Sequence, residues 1–212
     1  MGEMAASKTS AQCFSAVVFD IGGVIVDWNP RYLYRKLIAD SARMEWFLTE
    51  VCSSAWNAEQ DRGRTFAEAI EEVSGCYPQH REWIEAYWSR WPEMLGGPIP
   101  GTTEVVGELK RSGTAMFAIT NWSAETYPAA VERHPVLELF EDVVVSGEVK
   151  LTKPDPAIYH HALDRFGLSA EQALFVDDNR ANTEAAAALG MGTVLFTNAA
   201  ELRDELKRHG RL

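Results

Sequence analysis

The chain of 212 residues is long enough for one or two compact units. Twenty basic side chains face 31 acidic ones, a net charge of -11, which excludes the lysine- and arginine-rich surfaces that bind nucleic-acid phosphates or anionic membranes. With 46% hydrophobic and 10% aromatic residues a real core can form, while no apolar run approaches the ~20 residues of a membrane-spanning helix.

Residues 1–11 are polar, lack the apolar stretch of a signal peptide, and read as a short disordered tail. Ala6 stands where a myristoylation site needs Ser or Thr. Cys13, Cys52 and Cys76 are too sparse for a disulfide framework or a Cys-rich metal site, which predicts a reduced, cytoplasmic protein. Next, Ala16-Val17-Val18-Phe19 is β-prone, ends at Asp20 and runs into Gly22-Gly23, the pattern of a buried strand entering a tight turn.

From about 28 to 91 the pattern turns helical and holds six of the seven tryptophans. Asn29-Pro30 offers an N-cap with proline at the first helical position, and Thr65 with Glu68 has capping-box spacing. A helical bundle is expected there, with most of its tryptophans in the core. Gly96-Gly97-Pro98-Ile99-Pro100-Gly101 reads as a linker. Beyond it, helices are expected over 103–110, 124–133, 156–165, 182–189 and 201–208, and strands over 115–119, 143–145, 174–176 and 193–196. Such alternation implies an α/β fold, a Rossmann-like parallel sheet with helices on both faces. The expected division is a core of residues 12–27 and 93–212 with an inserted α-helical unit over 28–92.

In an open α/β sheet ligands bind at the carboxyl ends of the strands. The polar residues falling there are Asp20, Thr120-Asn121 and Asp177-Asp178, with Lys153 in the loop after the 143–145 strand. Carboxylate oxygens suit Mg2+, and a hydroxyl with an ammonium suits a phosphoryl group. Trp28 and Trp122 each follow a strand-end motif and could line the cleft. Arg62 and Arg64 flank Gly63 in a turn between helices, where an arginine over the site could hold an anion. His160-His161 lack a second pair at metal spacing and read as surface residues.

The segments Val17-Val18-Phe19-Asp20-Ile21-Gly22-Gly23-Val24, Ile119-Thr120-Asn121, Lys153-Pro154-Asp155 and Phe175-Val176-Asp177-Asp178 with Asn182 resemble the four ordered motifs of the haloacid dehalogenase (HAD) superfamily. The helical insertion resembles the C1 cap of that superfamily. The Asp-x-Gly-Gly-Val form is similar to a bacterial subgroup of sugar-phosphate phosphatases that includes glucose-1-phosphate phosphatase. The resemblance implies that Asp20 is a nucleophile forming an aspartyl-phosphate. It implies Mg2+ held by Asp20, Asp177, Asp178 and the Gly22 carbonyl, with Thr120 and Lys153 on the phosphoryl group. Gly23, Asn121, Trp122 and Arg64 would meet a small phosphorylated metabolite, and Asn182 would support the carboxylates.

The chain departs from the family pattern at Gly22, where most of its phosphatases carry an acid–base aspartate. That loss predicts a slower reaction unless another group substitutes, since such assistance is typically worth ~100- to 10,000-fold. Asp27 is the nearest candidate in sequence. Two other readings follow from the same gap: a metal-independent 2-haloacid dehalogenase, and a weak enzyme that binds phosphometabolites or a protein partner. Against the dehalogenase stand Gly22 in place of its tyrosine and the Asp177-Asp178 pair in place of its serine motif.

Overall fold

In the computed structural model residues 14–212 are described; the tail expected to be disordered, Cys13 and the first two residues of the expected core lie outside them. Strand β1 (Ala16–Phe19) is apolar throughout and fully buried. After a tight turn with Gly23 at φ 76°, the chain enters a short strand β2 (Val26–Trp28). Five helices follow: α1 (Arg31–Leu37), α2 (Ser41–Trp46), α3 (Ser54–Asp61), α4 (Phe66–Cys76) and α5 (Arg81–Ser89).

Their starts show how the sequence sets boundaries. Side chains of Asp40, Ser53 and Thr65 accept hydrogen bonds from the backbone N–H groups of Arg43, Trp56 and Glu68. Glu68 reaches back to the N–H of Thr65 at 3.1 Å, completing the capping box. At α1 the helix begins one residue later than expected, at Arg31, although Asn29 still accepts from the Arg31 N–H. The centre of this helical segment is built mainly from Tyr34, Phe47, Phe66, Ile84 and Tyr87. Trp46 and Trp88 are exposed instead: Trp46 makes T-shaped contacts with Tyr77 and His80, and Trp88 stacks on Phe66.

The stretch expected to be a linker holds a strand, β3 (Leu95–Pro98), antiparallel to β2 with Val26 opposite Pro98 and Asp27 opposite Gly97. Glycine and proline disfavour strands, so pairing with β2 rather than propensity sets this one, and Pro98 sits at its end where a missing N–H matters least. Both crossings between the helical segment and the sheet thus pass through one ribbon.

The chain then runs through α6 (Thr102–Ser112), β4 (Ala115–Thr120), α7 (Tyr127–Arg133), β5 (Asp142–Val145), α8 (Ser146–Val149) and α9 (Pro156–Phe166). It finishes with β6 (Ala173–Asp177), α10 (Arg180–Ala188), β7 (Gly192–Leu195) and α11 (Ala199–Arg208). Helix α7 starts three residues later than expected, because 124–126 form a turn. The five-stranded sheet has the order β5-β4-β1-β6-β7 and is parallel throughout.

Alternate residues of the central strands enter two cores. Val17, Phe19, Leu174 and Val176 pack on one face with α6 and α11, and Val18, Ile119 and Phe175 on the other with α9 and α10. Burial of both faces explains the unbroken apolar runs. Among the described residues no helix is long and apolar enough to cross a membrane. Phe175 is fully buried, edge-on to Tyr159 at 5.6 Å. Phe175→Ala should therefore lower the unfolding free energy by about 3–5 kcal/mol, measured by urea denaturation.

Candidate active site

Because β1 lies between β4 and β6, the chain fills one flank of the sheet and then crosses to the other at β6. The carboxyl ends of β1 and β6 border that switch point, where open α/β sheets bind ligands. Asp20 follows β1, Thr120 ends β4 and Asp177 ends β6. Asp20, Asp177 and Asp178 each bring a carboxylate oxygen within 4.8 Å of the others. Lys153, on the loop before α9, places its Nζ 2.9 Å from Asp20 Oδ1 and 2.7 Å from Asp177 Oδ2. The ammonium also lies 5.5 Å from the centre of the Phe175 ring.

The two inner carboxylates differ in how they are held. Asp177, fully buried, accepts from the Asn179 N–H at 2.8 Å and from Asn182 Nδ2 on both oxygens, at 3.0 and 3.1 Å, besides Lys153. Asp20 accepts from the Ile21 N–H at 2.7 Å. Burial pushes the Asp20 carboxyl up to about 7, against the pull of Lys153, and Asp177 pushes in the same direction as burial. Burial and then Asp177 also raise the exposed Asp178. Three carboxylates face one ammonium, and the donor set is all oxygen. Such a cluster fits a hard divalent cation such as Mg2+.

Thr120 Oγ1 is buried without a hydrogen-bond partner at this edge. An unpaired buried hydroxyl costs free energy, and a ligand oxygen would satisfy it.

Other residues expected at the site do different work. Asn121 clamps the lysine loop: its Nδ2 donates to the Lys153 carbonyl and its Oδ1 accepts from the Lys153 N–H, both at 2.9 Å. Its amide is thereby fixed in place, and the residue also lines the cavity beside Gly22. Gly23 makes room for Asp178: a Cβ there would come within 2.3 Å of Asp178 Oδ2. Arg64, expected to meet an anion, is tied to Gln60 Oε1, Glu72 Oε2 and the Trp56 carbonyl and does not line the cavity beside Gly22. Asp27 belongs to the ribbon, where its carboxylate accepts from Tyr32 Oη, and it is not in the carboxylate cluster.

Beside Gly22 opens a cavity of about 120 Å3 whose wall includes Trp28, Trp91 and Trp122 from three parts of the chain. A Cβ on Gly22 would point at the Trp122 ring, 3.9 Å away. Two further wall residues, Asn57 and Asp61, come from α3. Sequence reasoning missed them; the only pointer was the neighbouring Arg62-Gly63-Arg64 turn. Burial pushes the Asp61 carboxyl up to about 7, opposed by the Ser123 N–H and then Arg62. Ser146 Oγ donates to the Asp61 carbonyl at 2.6 Å and accepts from the Trp122 N–H at 2.9 Å, fixing α3 to the loop after β4.

The haloacid dehalogenase-like hydrolase profile matches residues 14–190. The sesquiterpene phosphatase astK of Aspergillus oryzae is 29% identical over 201 residues, 92% of this chain and 96% of that protein. The phosphoserine phosphatase of Thermus thermophilus is 34% identical over 127 residues, 59% of this chain, and the match spans only about half, 49%, of that enzyme. Among solved structures, a HAD family enzyme from Bacteroides thetaiotaomicron, determined as a magnesium complex, superposes with a TM-score of 0.72 at 20% identity, covering 92% of this chain and 98% of that one.

Removing one partner of a buried ion pair costs about 3–5 kcal/mol. Lys153→Met should lose that much stability, and adding Asp177→Asn should recover part of it. A double variant no more stable than the single one in denaturant titrations would show that Lys153 does not offset the Asp177 charge.

Proposed function

We propose that this chain, which belongs to the haloacid dehalogenase-like hydrolases, is a Mg2+-dependent phosphatase that hydrolyses a small phosphomonoester through an aspartyl-phosphate. The observation that carries this reading is the convergence of the Asp20, Asp177 and Asp178 carboxylates, the first two paired with one buried ammonium. The relatives named as phosphatases support it. The helical segment between β2 and β3 acts as a cap that excludes water and contributes to substrate choice.

Asp20 Oδ1 is held by the Ile21 N–H and Lys153, so Oδ2 attacks phosphorus in line with the departing ester oxygen. Lys153 and the Thr120 hydroxyl steady the phosphoryl oxygens as charge shifts toward the leaving group. Bound Mg2+ supplies the charge that lets an anionic nucleophile approach an anionic ester. Asp178, the exposed carboxylate, would hold the metal together with Asp20 and the Gly22 carbonyl, while Asp177 orients Lys153. Asn182 and Asn179 keep Asp177 fixed.

The three tryptophans of the wall favour an ester whose alcohol is apolar next to its oxygen. Gly22 and the Asp177-Asp178 pair tell against a dehalogenase, which expels halide without a metal and would leave adjacent carboxylates uncompensated.

Phosphate release should be measured over a panel of sugar, alkyl and prenyl monophosphates, with Mg2+ and with EDTA. Turnover is expected only with the metal, greatest on the apolar esters, and Asp20→Asn should abolish it. Metal-independent halide release from 2-chloropropionate would overturn the reading. So would ester binding with no turnover on any member of the panel.

A further inference from the structure

The missing acid–base aspartate leaves a gap of known direction. Gly22 lines the tryptophan-walled cavity, and a Cβ there would lie 3.9 Å from the Trp122 ring. Asp61, at the end of α3 in the helical segment, lines that same cavity. Asn57 Nδ2 donates to Asp61 Oδ2 at 3.1 Å, and Asn57 is in turn oriented by Tyr87, whose Oη donates to Asn57 Oδ1 at 3.0 Å. The Asp61 backbone is pinned by Ser146 Oγ, and its carboxylate receives the Ser123 N–H. A carboxyl held by several donors and placed at a cleft beside a reacting edge has the geometry of a general acid.

We propose that Asp61 is the catalytic acid and base of this enzyme, supplied by the cap in place of the residue lost at Gly22. This rests on the phosphatase reading and adds to it the source of the proton. In the first transfer Asp20 forms a bond to phosphorus, the P–O ester bond breaks, and the Asp61 carboxyl passes its proton to the departing oxygen, releasing a neutral alcohol. In the second, the Asp61 carboxylate takes a proton from water as that water attacks phosphorus, freeing Asp20 and inorganic phosphate and restoring the Asp61 acid.

The surroundings suit both steps. Burial raises Asp61 to about 7, so both protonation states are accessible near neutrality. The charged and titratable groups that bear on it are few. Arg62 adjoins it in sequence and pairs with Glu59, Tyr87 approaches from α5, and Lys150 of the α8 turn packs on Gly63.

The test separates leaving groups that need a proton from one that does not. For an alkyl phosphate, Asp61→Asn should lower kcat/KM by ~100- to 10,000-fold. With 4-nitrophenyl phosphate the same variant should still release one equivalent of nitrophenolate in a burst, then stall, because only the hydrolysis of the aspartyl-phosphate needs the base. Asp61→Glu should restore part of the alkyl activity. The wild-type alkyl-ester profile should fall above an apparent pKa near 7, and Asp61→Asn should lose that limb. Should Asp61→Asn not fold, Asn57→Ala reports instead. Loss of its donated hydrogen bond destabilises the carboxylate, so the limb should move to higher pH. Equal loss on both esters without a burst, wild-type rates on both, or an unmoved limb in Asn57→Ala would overturn the role of Asp61. Wild-type protein that releases no phosphate from any ester would overturn the phosphatase reading itself.

Discussion

Lys153 Nζ touches both Asp20 and Asp177 at an edge of the sheet where neither the ammonium nor Asp177 meets solvent. Taking such ions out of water costs several kcal/mol each, and mutual attraction repays it only when the remaining donors and acceptors are also satisfied. The surrounding contacts follow from that requirement. Asn121 fixes the backbone that carries the lysine, Asn182 and the Asn179 N–H fill the other lone pairs of Asp177, and Phe175 supports the ammonium from below. Even so, one positive charge answers three carboxylates. The imbalance leaves the edge with an excess of negative charge that a bound cation would offset.

The same requirement shapes the backbone. Asp178 can lie against the β1 turn only because position 23 has no side chain, and the turn needs a positive φ there in any case. One glycine therefore meets a local and a tertiary demand together. Gly147 does similar work at the other side: a Cβ would lie 2.5 Å from the Ala124 N, so its absence lets α8 approach the loop after β4 and present Ser146 to both Trp122 and Asp61. Glu125, from that loop, accepts from the Phe66 N–H at the start of α4. The helical segment is thus joined to the sheet by polar contacts close to the cleft as well as by the β2–β3 ribbon.

The parallel sheet was legible because its strands are short apolar runs ended by Asp, Thr or Gly, a pattern that depends only on local chemistry and burial on both faces. The charged edge was legible for the same reason: a carboxylate directly after three or four apolar residues has to lie at a strand end. The β2–β3 ribbon was not, since Leu95-Gly96-Gly97-Pro98 is a strand only by virtue of its partner 67 residues or more earlier. The direction of Arg64 was not legible, because a turn between helices says nothing about which way a guanidinium leaves it; nearby Glu72 and Gln60 decide that. Asp61 was missed for the converse reason. In sequence it is one acid among many on a polar helix, and its distinction arises from Ser123, Asn57 and the indoles around it.

Those surroundings also set Asp61 apart from Asp20. Asp20 sits beside an ammonium and among oxygen ligands, an environment that favours the charged, nucleophilic form once a cation joins it. Asp61 sits among tryptophans and neutral donors, and the nearest cation, Arg62, is exposed and bound to Glu59. A metal at the sheet edge would act strongly on the first carboxylate and weakly on the second, separating two groups that are alike in chemistry. Pairs of carboxyls driven apart by environment are how one site holds a base and an acid at the same pH. Burial raises both to about 7, and with a cation at the sheet edge the separation would follow the boundary between sheet and helices.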